Sequence, residues 1–262
     1  MKIYPNGKRK ILAASKPIFG GRGWELSDKW DRETKERKQK DSPAESDILR
    51  SKRRAACKLR DYALCNNFKY FVTLTLDPAR VDRYDLAVVV KKLRVWLDNH
   101  VRRDGLKYIL VPEKHKDGAF HFHGFFNDAL PVVDSGTLIL NGGRPQRPRS
   151  KKQRAEWLAA CAKIVYNLPS WGLGFSTAIE LYGNYDAAIS YVSKYISKQG
   201  EKLGGRWYFS GGGLTLPYVE LLPDADYWEI RAHADFSAEI VGARFELSVL
   251  EVQSEENDFA IP

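Results

Sequence analysis

The sequence has few cysteines, no long hydrophobic run and no apolar leader, and each absence excludes a class of protein. Its three cysteines, Cys57, Cys65 and Cys161, are odd in number and none forms a Cys-x-x-Cys pair. We therefore expect unpaired thiols in a reducing compartment. No apolar run approaches the length of a membrane span, and the first residues lack the core of a signal peptide. These absences predict a cytoplasmic protein with no membrane partner.

A phosphate-binding loop is also missing. The most glycine-rich stretch, residues 210–213, reads Ser-Gly-Gly-Gly and lacks the Lys-Ser/Thr pair that follows the glycines in such loops. We therefore predict no nucleotide site in this chain.

Acidic residues are scarce over most of the chain and gather near its end. The chain has 42 Lys and Arg, 33 Asp and Glu, and a net charge of +9. Residues 219–262 contain eleven Asp and Glu but two Arg, a net charge of −9, which leaves +18 for residues 1–218. A basic body is typical of proteins that bind a polyanion, and nucleic acid is the favoured partner. A basic surface that is only solvated is the alternative.

Charge and hydrophobic patterning divide the chain into three predicted segments. Residues 1–64 form a basic N-terminal segment that ends in a helix. Residues 65–218 mix strands with helices and form the main domain, and residues 219–262 form an acidic tail.

The N-terminal helix is predicted from its capping residues. Ser42 precedes a proline, and Glu45 follows three residues after the cap, which is a helix start; the helix ends near Cys65. Basic residues, including Arg53 and Arg54, cover its outer side. We expect these two arginines to lie along a DNA phosphate backbone.

The most informative stretch is residues 120–126, which reads Phe-His-Phe-His-Gly-Phe-Phe. Alternation along a strand places His121 and His123 on one face and the phenylalanines at 120 and 122 on the other. Two imidazoles two residues apart point the same way and can hold one metal ion. A single histidine in a strand is more often an ordinary core or surface residue.

A preceding strand turns back through Lys-Asp-Gly at residues 116–118, forming a hairpin with the histidine strand. If the turn centres near Asp117, Glu113 lies opposite His121 on the histidine face; a shift of one residue would turn it away. Two imidazoles and one carboxylate suit a catalytic divalent ion with open coordination positions. We prefer Glu113 as the third ligand, and His115 is its rival.

Other elements are predicted from periodicity. A strand over residues 70–77 places Thr73 and Thr75 on one face and apolar residues on the other. The remaining predictions are helices over residues 85–100 and 150–165, a loop or small hairpin over 127–149, and strands over 174–181 and 206–209.

A second chemical stretch lies on a helix predicted over residues 185–199. Tyr191, Lys194, Tyr195 and Lys198 share one helical face, which is separate from the aliphatic side of the helix. A phenol becomes a usable nucleophile when a metal or a lysine stabilises its phenolate. Tyrosines that only pack are the alternative.

At these residues the sequence resembles the rolling-circle replication initiators of the HUH endonuclease superfamily. Residues 71–75, Phe-Val-Thr-Leu-Thr, resemble the first motif, a strand associated with origin recognition. Residues 121–123 resemble the His-hydrophobic-His metal motif, and residues 191–195 resemble the nucleophile motif in its two-tyrosine form, as in single-stranded DNA phages. The resemblance covers about residues 65–215.

The resemblance implies an α+β fold, with a central antiparallel sheet flanked by helices and related to the RNA-recognition-motif fold. It implies Mg²⁺ or Mn²⁺ as the metal, and single-stranded DNA at an origin hairpin as the substrate. Thr73 and Thr75 are then candidates for DNA binding. The host would be a bacterial cell that carries a phage, a plasmid or another mobile element. Since the chain has no phosphate-binding loop, unwinding requires a separate host or phage helicase.

Three alternatives remain at this point. Relaxases and transposases of the same superfamily share the chemistry. A non-catalytic DNA-binding regulator would bind DNA without cutting it. A metal-dependent nuclease could use water for attack, so that the tyrosines only pack.

Overall fold

The computed structural model describes residues 1–15, 45–115, 117–181, 185–222, 225–240 and 245–253. In chain order these residues form β1 (Lys2–Ile3), β2 (Lys8–Ala14), α1 (Glu45–Cys65), β3 (Tyr70–Leu76), α2 (Leu86–Asp104), β4 (Tyr108–Lys114), β5 (Phe120–Phe126), β6 (Val133–Ile139), α3 (Lys151–Ala159), β7 (Lys163–Asn167), β8 (Gly174–Glu180), α4 (Tyr185–Lys198), β9 (Phe209–Gly211), β10 (Tyr218–Val219), α5 (Tyr227–Ala232), β11 (Phe236–Ile240) and β12 (Phe245–Gln253). Within these ranges, no helix has the length and apolar composition needed to cross a membrane.

The chain divides into two compact units. One unit joins Met1–Asp47 to Pro217–Pro262, and the other spans Ile48–Leu216. In the first unit, five antiparallel strands form a sheet in the order β10-β1-β2-β12-β11. The basic strand β2 pairs with the acidic strand β12, and Lys10 forms a 2.8 Å ion pair with Glu251 across them. The acidic segment therefore shares a sheet with the N-terminal residues.

The second unit is built on a sheet of seven antiparallel strands in the order β6-β7-β8-β3-β5-β4-β9. Helix α2 packs on one face of this sheet, and helices α1 and α4 pack on the other. The predicted α+β fold, with a central antiparallel sheet flanked by helices, is confirmed.

The α2 face is the larger apolar layer. Alternating residues of β3 and β5, such as Val72, Leu74 and Phe122, are fully buried against Leu93 and Leu97 of α2. Period-2 strands and a period-3.6 helix bury their apolar sides against each other here, as the sequence pattern predicts.

The opposite face carries the histidines and is covered by α1 and α4 at one end. Leu59 of α1 and Ile189 and Val192 of α4 are fully buried against the sheet residues Val111 and Phe125. Helix α1 ends at Cys65 as predicted, whereas the predicted cap at Ser42 lies outside the described residues. All three cysteines are unpaired, as expected.

The helix predicted over residues 150–165 is wrong in its second half. Ser150 does cap the helix, accepting a hydrogen bond from the backbone N–H of Gln153, but α3 ends at Ala159. Cys161 then adopts a left-handed conformation, with φ at 59°, and β7 begins at Lys163. Residues 164 and 165, Ile-Val, fit a helical stripe and a strand equally well, and β-branched residues favour the strand.

Two edge strands also differ from prediction. The segment predicted as a loop or small hairpin, residues 127–149, contains β6, which extends the main sheet beside β7. The strand predicted over residues 206–209 instead begins at Phe209 and continues into the glycine stretch, where it pairs with β4. A side chain at Gly212, where φ is +88°, would bring its Cβ to 2.2 Å from the Leu106 carbonyl oxygen, so a close approach explains this glycine.

Candidate active site

The strand register brings the predicted metal ligands onto one face of the sheet. His121 of β5 lies opposite Glu113 of β4, and on its other side it lies opposite Thr75 of β3. His123 lies opposite Thr73. The register that we predicted for the hairpin, with Glu113 on the histidine face, is therefore the register observed.

His123 is held through both of its ring nitrogens. Its Nε2 lies 2.9 Å from Oε2 of Glu113, and its Nδ1 lies 3.1 Å from Oγ1 of Thr73. A carboxylate only accepts hydrogen bonds, so the neutral ring donates through Nε2 and accepts at Nδ1 from the threonine hydroxyl. Burial lowers the pKa of His123, although Glu113 acts in the opposite direction. Thr73 was predicted to bind DNA; in the structure its hydroxyl contacts a predicted metal ligand.

His121 differs from its neighbour because its ring nitrogens lack partners. Both nitrogens are buried, and neither has a hydrogen-bond partner among the described residues. Its ring centroid lies 3.9 Å from that of His115 and 5.8 Å from that of His123. Burial, followed by the nearby His115 and His123, lowers the pKa of His121 to about 4. His121 is therefore a neutral imidazole with a free lone pair near pH 7.

The donor set suits a divalent metal in its chemistry. The unpartnered nitrogens of His121, the His123 ring and the Glu113 carboxylate are the kinds of ligand that such ions take. No group of three or more His, Cys, Asp or Glu side chains in the described part of the chain is already arranged to hold an ion. Glu113 is instead hydrogen-bonded directly to His123, and His121 packs against His115.

Helix α4 brings the tyrosines to the histidine face. The Tyr195 ring stacks on His123, with centroids 4.5 Å apart and planes 9° apart. The Tyr195 hydroxyl donates a 2.6 Å hydrogen bond to the Tyr191 hydroxyl oxygen. Burial and this hydrogen bond raise the pKa of Tyr195. The nucleophile motif and the metal motif, far apart in the sequence, are therefore in direct contact.

The two tyrosines differ in exposure. We expected both to point away from the aliphatic side of the helix, but Tyr195 is only 7% exposed and packs in the core with Ile196. Tyr191 is 49% exposed, and its ring meets that of Phe71 edge-on, at 5.8 Å between centroids. Of the two, Tyr191 is thus the one open to a large substrate in this arrangement.

The predicted catalytic lysines lie on the exposed side of α4. Nζ of Lys198 lies 5.5 Å from the centre of the Tyr195 ring, whereas Lys194 is exposed to solvent. Lys198 also lines a cavity of about 540 Å³, together with Glu113 and Tyr195. A cation in this position can neutralise a phosphate oxygen.

The structure also shows a residue that the sequence analysis missed. Gln199 follows α4 and donates through Nε2 to the carbonyl oxygens of Pro112 (2.9 Å) and Trp207 (3.1 Å). These hydrogen bonds tie the end of the tyrosine helix to the strand that carries Glu113. No pattern in the sequence pointed to this role.

The DNA-binding candidates are spread over two elements. Arg53 and Arg54 are exposed on α1, the helix that contacts α4 through the hydrogen bond of Lys52 to the Ser197 carbonyl oxygen at 3.2 Å. Thr75 is half-buried beside His121. The structure gathers the tyrosines, histidines and Glu113 at one place, while the two arginines lie on the outer surface of a neighbouring helix.

A comparison with known families identifies the chain at this level. The model of the replication-associated protein ORF2 family matches residues 69–200, which is half of the chain and runs from β3 to the end of α4. The chain belongs to this replication-associated protein family. The matched range contains every predicted metal ligand and both tyrosines, and it leaves Arg53 and Arg54 outside. Membership in this family agrees with the resemblance to rolling-circle replication initiators. No curated protein and no solved structure matches the chain.

Proposed function

We propose that this member of the replication-associated protein family nicks and rejoins single-stranded DNA at a replication origin through a 5′-phosphotyrosine intermediate. This reaction would initiate rolling-circle replication of a phage, plasmid or other mobile element in the bacterial cytoplasm. The observation that carries the proposal is the stacking of Tyr195 on His123, because it joins a candidate nucleophile pair to a candidate metal pair.

The covalent step follows from the chemistry of a phenol beside a phosphodiester. A tyrosine oxygen attacks phosphorus, a new O–P bond forms, and the bond from phosphorus to the 3′ oxygen breaks. The phenol loses its proton to solvent, and the departing oxygen takes one up, which leaves a free 3′-hydroxyl. The adduct keeps one phosphodiester bond for the one broken, so attack by a 3′-hydroxyl restores the strand without ATP.

The two tyrosines have unequal positions, which supports an order of action. Tyr191 is the exposed member, and it accepts the hydrogen bond from the Tyr195 hydroxyl. A donor aimed at the Tyr191 oxygen stabilises its phenolate, so Tyr191 acts as the first nucleophile. Tyr195 supports it and attacks in a later cycle, when the first tyrosine holds the strand. Lys194 and Lys198 bind the phosphate groups of the strand.

Glu113, His121 and His123 are the residues that would hold Mg²⁺ or Mn²⁺. The ion would withdraw charge from the non-bridging oxygens of the scissile phosphate. The partly exposed carboxylate of Glu113 and the unpartnered nitrogens of His121 are the features that favour these ligands. Unwinding of the duplex would fall to a separate host or phage helicase.

The experiment is a test for a covalent adduct. The full chain is mixed with a single-stranded DNA library and Mn²⁺, and protein–DNA species that survive denaturant are counted and mapped by mass spectrometry. Tyr191→Phe, Tyr195→Phe and the double variant are compared with Tyr185→Phe. Tyr185 lies on the same helix, but its hydroxyl donates to the Ala63 carbonyl oxygen at 2.9 Å, away from the histidines.

We expect an adduct on Tyr191 that is lost in the double variant and after chelation of the metal, while Tyr185→Phe keeps it. Cleavage without an adduct, unchanged in the double variant, would indicate attack by water. Binding with no cleavage on a library that contains the origin would indicate a DNA-binding regulator.

A further inference from the structure

Phe175 is an exposed aromatic residue on the sheet face that carries the histidines. Its side chain is 72% exposed, and no other phenylalanine whose side chain the structure describes is so open. Its strand, β8, lies inside the sheet between β7 and β3, so the exposure does not result from an edge position. The sequence analysis recorded this strand but not the residue, although the alternation of Phe175 and Thr177 with small residues was a usable signal.

The register places Phe175 in one row with the candidate active site. Phe175 lies opposite Thr75, Thr75 lies opposite His121, and His121 lies opposite Glu113. Neighbouring strands are about 4.8 Å apart, so the backbones at Phe175 and His121 are separated by about 10 Å. A DNA strand whose phosphate lies at the histidines therefore has a base within reach of Phe175.

The surroundings of Phe175 favour a nucleobase over a protein partner. Thr75 lies across from it, and Thr177 lies two residues along the same face, so its neighbours on this face offer hydroxyl groups. Protein interfaces usually centre on a contiguous apolar patch, which this face lacks beside Phe175. A base can stack on a single aromatic ring and use nearby hydroxyls for hydrogen bonds.

The charge of this unit supports the same occupant. Residues 48–216 contain 28 Lys and Arg and 14 Asp and Glu, a net charge of +14. A polyanion is attracted to such a surface, and only an unpaired strand exposes the faces of its bases for stacking.

We propose that Phe175 stacks on a base of the single-stranded DNA next to the scissile phosphate, with Thr75 and Thr177 bordering that base. This inference deepens the proposed function and rests on it. Phe175 holds the strand by stacking and takes no part in bond cleavage, so it contributes to affinity and positioning.

The test measures DNA binding without the covalent step. The full chain carrying Tyr191→Phe and Tyr195→Phe is titrated with a fluorescent single-stranded oligonucleotide of about 16 nucleotides and mixed sequence. On this background, Phe175→Ala and Phe175→Trp are compared with Val95→Ala, which removes an exposed apolar side chain from α2 on the opposite face of the sheet.

We expect Phe175→Ala to weaken binding by about 5- to 150-fold, the loss of stacking under one base. Phe175→Trp and Val95→Ala should bind as the background does. Since stacking releases no counterion, Phe175→Ala should leave the slope of log affinity against log salt unchanged. An oligonucleotide with a photoreactive halogenated pyrimidine should crosslink to Phe175.

Equal affinity of Phe175→Ala and the background, or a crosslink that avoids Phe175, would overturn the stacking role. The outcome is separable from that of the proposed function, because this background forms no adduct. An adduct in the unmodified chain together with unchanged binding by Phe175→Ala would refute only the stacking role. A binding loss in Phe175→Ala with no adduct in the unmodified chain would refute only the nicking reaction.

Discussion

At the scale of single residues, the site depends on how His123 is oriented. Thr73 and Glu113 hydrogen-bond the two ring nitrogens of His123, so the imidazole is fixed from both sides. Partners of this kind set the tautomer of a metal-binding histidine, and their loss usually costs 10- to 100-fold in metal affinity or activity. We expect Thr73→Val to lower the rate of adduct formation by about 10- to 100-fold, and Thr73→Ser to retain most of it.

The measurement is the adduct rate at a series of Mn²⁺ concentrations. A positioning role predicts that Thr73→Val needs more Mn²⁺, with its affinity for the oligonucleotide unchanged. If the variant instead loses DNA affinity and keeps the same Mn²⁺ requirement, Thr73 contacts DNA, as the first-motif resemblance implies.

The sequence predicted part of this arrangement, and the reason is the range of the contacts. Glu113 lies opposite His121 because a short turn fixes the register of a hairpin, and the turn residues could be read directly. The stacking of Tyr195 on His123 could not be read in this way, because it depends on how α4 docks on the sheet. The sequence placed Tyr195 on a chemical face of the helix, but its burial depends on that docking.

At the scale of elements, alternation predicted the strands that carry the site, and ambiguous periods produced the error. Strand β3 alternates between buried and half-buried residues along its whole length. Near Ile164, by contrast, apolar residues fit both periods, and only the left-handed Cys161 and pairing with β8 end α3 and define β7.

Strand β5 contains an element-scale constraint at Gly124, the residue after His123. A Cβ at this position would lie 1.8 Å from the Ile109 carbonyl oxygen on β4, so the backbone itself would have to move. Such overpacking typically costs about 1–3 kcal/mol or more, and here it would also separate β5 from the strand that carries Glu113. We expect Gly124→Ala to lower the free energy of unfolding by at least about 2 kcal/mol.

Urea denaturation followed by circular dichroism measures this change. Gly172→Ala is the matched control, because an added Cβ there meets no atom within 4 Å. Equal midpoints for Gly124→Ala and Gly172→Ala would mean that the strands accommodate the methyl group, and would contradict the prediction.

At the scale of the whole molecule, the basic charge should appear as a salt dependence of DNA binding. Arg53 and Arg54 are exposed on α1, beside the tyrosine helix, and each phosphate contact to a single strand contributes about 0.7 to the slope of log affinity against log salt. We expect the change of both residues to Gln to reduce that slope by about 1.4.

The slope is obtained from binding titrations at several salt concentrations. Arg102 and Arg103 offer a matched pair, since they are adjacent, exposed and located in the last turn of α2, on the other side of the sheet. Their change to Gln should leave the slope nearly the same. Equal slopes for all three proteins would show that Arg53 and Arg54 do not touch the phosphate backbone.

The sheet that joins β2 to β12 has a consequence for synthesis on the ribosome. Its strands come from both sides of residues 48–216, so β2 emerges early and its partner β12 is translated more than 200 residues later. The unit that holds the candidate active site is a continuous stretch and can fold during translation, because domains generally fold as units. The outer sheet can close only after β12 has left the exit tunnel. A nascent chain would thus acquire its candidate active site first and would carry β2 with one open edge until translation reaches β12.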